Sequence, residues 1–226
     1  MAHTHPHPPH ELTEGPEHEG PTPRRERILE LSAVVLMSIT AVATAWSGYQ
    51  AARWSGDQSK SYAQASTARI HSQRQSTHAG QVRIDDLLYF NGWLNAHATG
   101  NDKLATIYRR RFRPGFVPVF EAWLAQKPFT NPKAVAGPLY MPQYKLPSVT
   151  RAKQLDEQAD AHYTDGTNAK SNDDHYILST VFFAAVLFFA GISLRLDWRP
   201  LRMAVLTFAS AMLLGGLIYV FTLPIS

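Results

Sequence analysis

The 226-residue chain has no cysteine. This excludes disulfides, thiolate nucleophiles, zinc ribbons and cysteine-ligated iron–sulfur clusters. Charge is also scarce: 18% of residues are Asp, Glu, Lys or Arg, against roughly 25% in typical domains. The deficit is local. Residues 28–52 carry only Glu30, and residues 175–194 and 203–226 carry no charge at all. The mean hydropathy of −0.22 therefore averages two kinds of segment and is not that of a uniform soluble chain. No Asp, Glu, Lys or Arg falls at the middle of an apolar stretch, which argues against a proton-coupled transporter or a voltage sensor. No strand pattern of any length is present. Motifs for zinc hydrolysis, a nucleophile elbow or a phosphate-cradling loop are missing too. Asp156, Glu157 and Asp160 read as the solvated face of a helix, so no catalytic residue and no enzymatic activity is expected.

What is present is three stretches, each long enough for the roughly 20 apolar residues that cross a bilayer as a helix. The expected fold class is an all-α membrane protein with three transmembrane helices at 28–52, 175–194 and 203–223. The first and second extend outward as an antiparallel helical stalk that carries a small helical head, together the extracytoplasmic segment 53–174. Trp46, Tyr49 and Trp54 at one end of the first span, and Trp198 in the short loop 195–202, are expected interface anchors. Ala43-Thr44-Ala45 also resembles a signal-peptide cleavage site. A leader of that length, with apolar helical character continuing to Ala52, favours an uncleaved span instead. Close to the spans, Arg24, Arg25, Arg27, Arg195, Arg199 and Arg202 outnumber Arg53, Lys60 and Lys170 on the other side. The positive-inside rule then puts the amino terminus inside, and residues 53–174 and the carboxyl terminus outside.

Residues 1–23 hold six of the fifteen prolines and five of the ten histidines. With almost no large apolar side chain they read as a disordered cytoplasmic tail. His3, His5, His7 and His10 are candidate ligands for a divalent transition metal, an incidental affinity rather than a cofactor site. In the long segment, 53–81 reads as a polar helix continuing the first span. Val82, Ile84, Leu87, Leu88, Phe90, Trp93 and Leu94 recur at helical spacing, as do Leu104, Ile107, Tyr108 and Phe112 after a turn at 98–102. These are expected to pair around a small core. Pro114 should end the second helix, and residues 116–124 form a further amphipathic set. The five prolines in 128–147 mark a strapped-down loop, after which Ser148 is a candidate amino-terminal cap for a helix returning to the second span.

Arg109, Arg110, Arg111 and Arg113 form the densest charge cluster. Guanidinium forks suit phosphate headgroups, anionic polysaccharide or an acidic protein patch. The alternative is internal pairing with Asp85, Asp86, Asp102 or Glu121. His71, His78 and Asp85 recur every seven residues, about 10 Å apart along a helix. That is too far for one ion, although a homo-oligomer would arrange each as a ring. Thr207, Ala211 and Gly215 follow a four-residue period, as do Ala41 with Ala45 and Thr44 with Gly48, a pattern that lets helices in lipid approach closely, the alternative being the general enrichment of Ala and Gly in spans.

The run Ala43-Thr44-Ala45-Trp46-Ser47-Gly48-Tyr49-Gln50-Ala51-Ala52-Arg53-Trp54-Ser55-Gly56 resembles a segment of bacterial three-span inner-membrane proteins grouped as a domain of unknown function. The resemblance implies a bacterial cytoplasmic membrane, one span running into a polar helix, an external helical region and two closing spans. It implies no activity and no cofactor. The expected role is a structural or accessory subunit of an envelope complex. Its partners are the bilayer and either copies of itself or a larger membrane complex, with no nucleic acid. The alternative role is a homo-oligomeric channel.

Overall fold

A computed structural model describes residues 24–226, and all its regular structure is helical, with no strand among them. The order is α1 (Arg24–Ala98), α2 (Asp102–Arg110), α3 (Val117–Leu124), a short 3-10 turn (Pro138–Tyr140), α4 (Pro147–Ser193) and α5 (Arg199–Thr222). The tail 1–23, with His3, His5, His7 and His10, lies outside the described residues. Three helices, α1, α4 and α5, each contain a stretch long and apolar enough to cross a membrane. The chain divides into two compact units. A span unit contains residues up to 51 together with 174–226, and a connecting unit contains residues 52–173. Helices α1 and α4 each contribute to both.

In the span unit, the buried positions of α1 are Ala33, Leu36, Thr40, Ala43, Ser47 and Gln50. Those of α4 are Tyr176, Ser179, Phe183, Val186, Ala190 and Ser193, and those of α5 include Leu206, Ala209, Leu213 and Gly216. Steps of three and four residues keep one stripe facing a neighbouring helix, the repeat of coiled-coil packing. Thr40 is compatible with burial because its hydroxyl donates to the Leu36 carbonyl at 2.7 Å. At the far end of α5, Tyr176 donates to the Pro224 carbonyl at 3.2 Å, and the Tyr219 hydroxyl meets His175 Nδ1 at 2.9 Å. At the opposite end, Arg199 pairs with Glu26, and Arg202 lies 3.8 Å from Glu30.

The same repeat runs through the connecting unit, but on small residues. Ala65, Ala68, Ser72 and Ala79 are buried on α1, and Ala152, Leu155, Ala159 and Ala169 on α4. The two helices run antiparallel. Ser72 donates to the Ala152 carbonyl at 2.9 Å, Arg69 pairs with Asp160 at 2.7 Å, and the Tyr62 and Tyr163 rings lie 5.5 Å apart. Alanine and serine at such positions bury little apolar area but allow backbones to come close. The sequence pattern of large apolar residues therefore understates this pairing.

At the other end of the connecting unit the chain reverses. Gly100, at φ +68°, takes the left-handed conformation that ends α1. Asn101 then caps α2 by accepting from the Leu104 amide at 3.1 Å. Helix α2 ends at Arg110, three residues short of the residue preceding Pro114. The return helix α4 starts at Pro147 itself, whose fixed φ suits a first helical position and whose missing N–H costs nothing there. Ser148 is consequently inside the helix and is not the cap expected from sequence.

Candidate functional site

The core at the chain reversal is aromatic. Phe90, Trp93, Phe112, Phe116, Phe120, Trp123 and Met141 are buried together with Ala96, Ala105 and Val119. Trp93 meets Phe120 edge-on at 4.7 Å, Phe90 meets Trp123 at 5.2 Å and Phe112 meets Phe120 at 4.9 Å. Such pairs each add about 0.5–1.5 kcal/mol beyond area burial. The proline-rich loop is fastened to this core by hydrogen bonds. Trp123 Nε1 donates to the Val135 carbonyl at 2.7 Å, and the Val135 amide donates to Gln126 Oε1 at 3.0 Å. The sequence pattern placed Ile84, Leu87, Leu88, Leu104 and Ile107 in this core. They are exposed instead, because the core is filled from α3 and the loop, and α2 packs through Ala105 and Tyr108. Gly92 permits this approach: a Cβ there would overlap the Tyr108 ring.

The arginine cluster divides by function. Arg113 donates to Asp86 Oδ2 at 2.8 Å, and the Tyr144 hydroxyl donates to the same oxygen at 3.0 Å. Asp86 is 3% exposed, so this carboxylate ties α1, the α2–α3 turn and the proline-rich loop together. The hydrogen bond to Asp86 raises the Arg113 pKa above its ordinary value. Burial, reinforced by Asp86, pushes the Tyr144 phenol up to about 12. Arg109 pairs with Glu121 at 2.5 Å and lies 6.0 Å from the Phe120 ring centroid. Two of the four arginines are thus internal fasteners. Arg110 and Arg111 are exposed, and their side chains make no ion pair or hydrogen bond among the described residues, so they retain free guanidinium donors.

The remaining candidate residues fall in different places. His71, His78 and Asp85 are each exposed on α1, and no group of three metal-ligating side chains occurs among the described residues. Trp46, Tyr49 and Trp198 are exposed, and Trp54 is half-buried. Trp46 and Tyr49 have ring centroids 6.0 Å apart. Ala41, Ala45, Gly48, Thr207, Ala211 and Gly215 do not pack the spans of the chain against one another. All six are on exposed faces. The close approach within the chain is made by Gly216, where a Cβ would fall 2.7 Å from Phe183 Cε1, whereas a Cβ at Gly48 or Gly215 would meet nothing within 4 Å. A one-residue step around α5 separates an inward from an outward position, which small-residue spacing alone does not reveal. The inward face of α1 also carries the Ser47 hydroxyl and both polar atoms of the Gln50 amide, buried and with no hydrogen-bond partner among the described residues.

No protein family, curated protein or solved structure matches this chain.

Proposed function

We propose that the chain is a non-enzymatic integral membrane protein of the bacterial cytoplasmic membrane, acting as a structural or accessory subunit of an envelope complex. In this reading the amino terminus and the loop 195–202 lie inside, and residues 53–174 and the carboxyl terminus lie outside. One observation carries the role: the small-residue seams of α1 and α5 are on exposed faces, open to helices from outside the chain. Ordinary lipid-facing positions favour large aliphatic residues, while small residues in lipid favour helix–helix contact. The resemblance of residues 43–56 to three-span inner-membrane proteins agrees with this reading.

The test is the mass of the complex extracted from native membranes, for the natural chain and for G48L and G215L. The proposal expects a multi-subunit mass that both variants reduce. A stable monomer with no partner would refute it, and selective ion flux through the purified protein in liposomes would replace it with a channel. Because the chain has no cysteine, orientation is testable with single introduced thiols. S66C should react with an impermeant maleimide from outside the cell, and D197C should not.

A further inference from the structure

Ile84, Leu87 and Leu88 on α1, with Leu104 and Ile107 on α2, are 39 to 61% exposed, although they lie in the part of the chain rich in charge. Leu88 on α1 and Leu104 on α2 flank one contact between these helices, with Ile84 one turn before Leu88 and Ile107 one turn after Leu104. Tyr108 packs on Gly92, and Leu88 lies one turn before Gly92 on α1. Leu104 and Arg111 sit one turn to either side of Tyr108 on α2, and Ile107 lies one turn from Lys103, Leu104, Arg110 and Arg111. Lys103, Arg110 and Arg111, all exposed, border the aliphatic side chains on α2. None of the three has an ion pair among the described residues. Contiguous exposed apolar surface rimmed by polar groups marks an interaction site.

Resting on the accessory-subunit reading, we infer that this surface docks an acidic amphipathic helix of a partner protein. The charge is complementary: residues 83–145 contain nine Lys or Arg against four Asp or Glu. Asp86 and Glu121 pair internally with Arg113 and Arg109, which leaves seven bases against the exposed Asp85 and Asp102. A simple polyanion would satisfy the arginines but leave five aliphatic side chains in water. An acidic amphipathic helix supplies apolar anchors at i, i+3, i+4 and i+7 together with carboxylates. An anionic bilayer offers both chemistries as well. However, about 54 Å of helix separate Leu88 from Ala52, where the connecting unit begins, so headgroups near that residue are not the natural occupant.

The test uses the full-length protein in nanodiscs of zwitterionic lipid. The probe is a fluorescent synthetic peptide of Leu and Glu with helical amphipathic spacing, beside a scrambled peptide of the same composition. The patterned peptide should bind, and the scrambled one should bind at least several-fold more weakly. R110Q/R111Q and L88S/I107S should each weaken binding about tenfold, equivalent to about 1.4 kcal/mol, with unchanged circular dichroism. Equal binding of the two peptides, or variants that bind like the natural chain, would overturn the inference. So would phosphatidylglycerol vesicles that bind the connecting unit in an R110Q/R111Q-sensitive manner while the peptide does not. Failure here with G48L still reducing the native complex would leave the accessory role standing. Failure of both would remove it.

Discussion

Replacing Asp86 with alanine should loosen the whole aromatic end of the connecting unit, because one buried oxygen accepts from two partners. The Arg113 bond at 2.8 Å and the Tyr144 bond at 3.0 Å are both made to a charged acceptor, a class contributing about 1.5–3 kcal/mol each. The Arg113 side chain is 34% exposed, so after the substitution water re-solvates part of it, and the lower end of that range applies. The expected cost of D86A is therefore about 3 kcal/mol. Y144F removes only the phenol bond and leaves the ion pair, costing about 1.5 kcal/mol. Hydrogen exchange read by mass spectrometry on the full-length protein in nanodiscs separates the two. The slow amides of residues 112–124 should exchange roughly 100-fold faster in D86A and about tenfold faster in Y144F, with amides of α5 unchanged in both. A D86A effect no larger than that of Y144F would refute the argument that this carboxylate, rather than the aromatic contacts alone, holds the loop to α1.

The Tyr144 phenol keeps its proton in the folded chain up to about pH 12, whereas an unfolded tyrosine loses it near 10. Protection of the loop should therefore be complete below pH 10, fall between pH 10 and 12, and lose that component of its pH dependence in Y144F. Adjacent glycines in α5 should respond oppositely to the same change. G216A places a methyl against Phe183 and Phe182 and should destabilise the span unit by about 1–3 kcal/mol, while G215A should leave its thermal unfolding in detergent unchanged. Gln50, buried with both amide atoms unpaired, is better replaced by an apolar group of similar length. Q50M should raise resistance to unfolding in detergent by about 1 kcal/mol or more, and an equal or lower resistance would show that the amide has a partner in the membrane.

Legibility differed by the kind of signal each element uses. The three spans were readable because lipid imposes length and the exclusion of charge, and both are visible in 28–52, 175–194 and 203–223 without any fold. The reversal at 98–102 was readable because Gly100 and Asn101 carry local backbone and capping chemistry. The antiparallel pairing of α1 with α4 was readable as two helices continuing outward from the first and second spans, but its contact face was not, since the buried positions are Ala65, Ala68, Ser72 and Ala79 on α1 and Ala152, Leu155 and Ala159 on α4. An apolar pattern search passes over such residues, yet their three- and four-residue steps carry the packing. The converse error followed from the same rule. Ile84, Leu88 and Ile107 have the hydrophobicity of core residues, but α3 and the proline-rich loop fill the core first, through Phe116, Phe120 and Trp123. The arginine run is uniform in sequence for a different reason: its four charges differ only in which carboxylate each can reach. Arg109 and Arg113 find Glu121 and Asp86, while Arg110 and Arg111 remain beside aliphatic side chains that have no place in water. In the connecting unit, burial of Ala65, Ala68 and Ser72 and exposure of Ile84, Leu88 and Ile107 are therefore two sides of one arrangement. The accessory role proposed above requires such a surface, because large aliphatic side chains left exposed beside arginines are available to a partner.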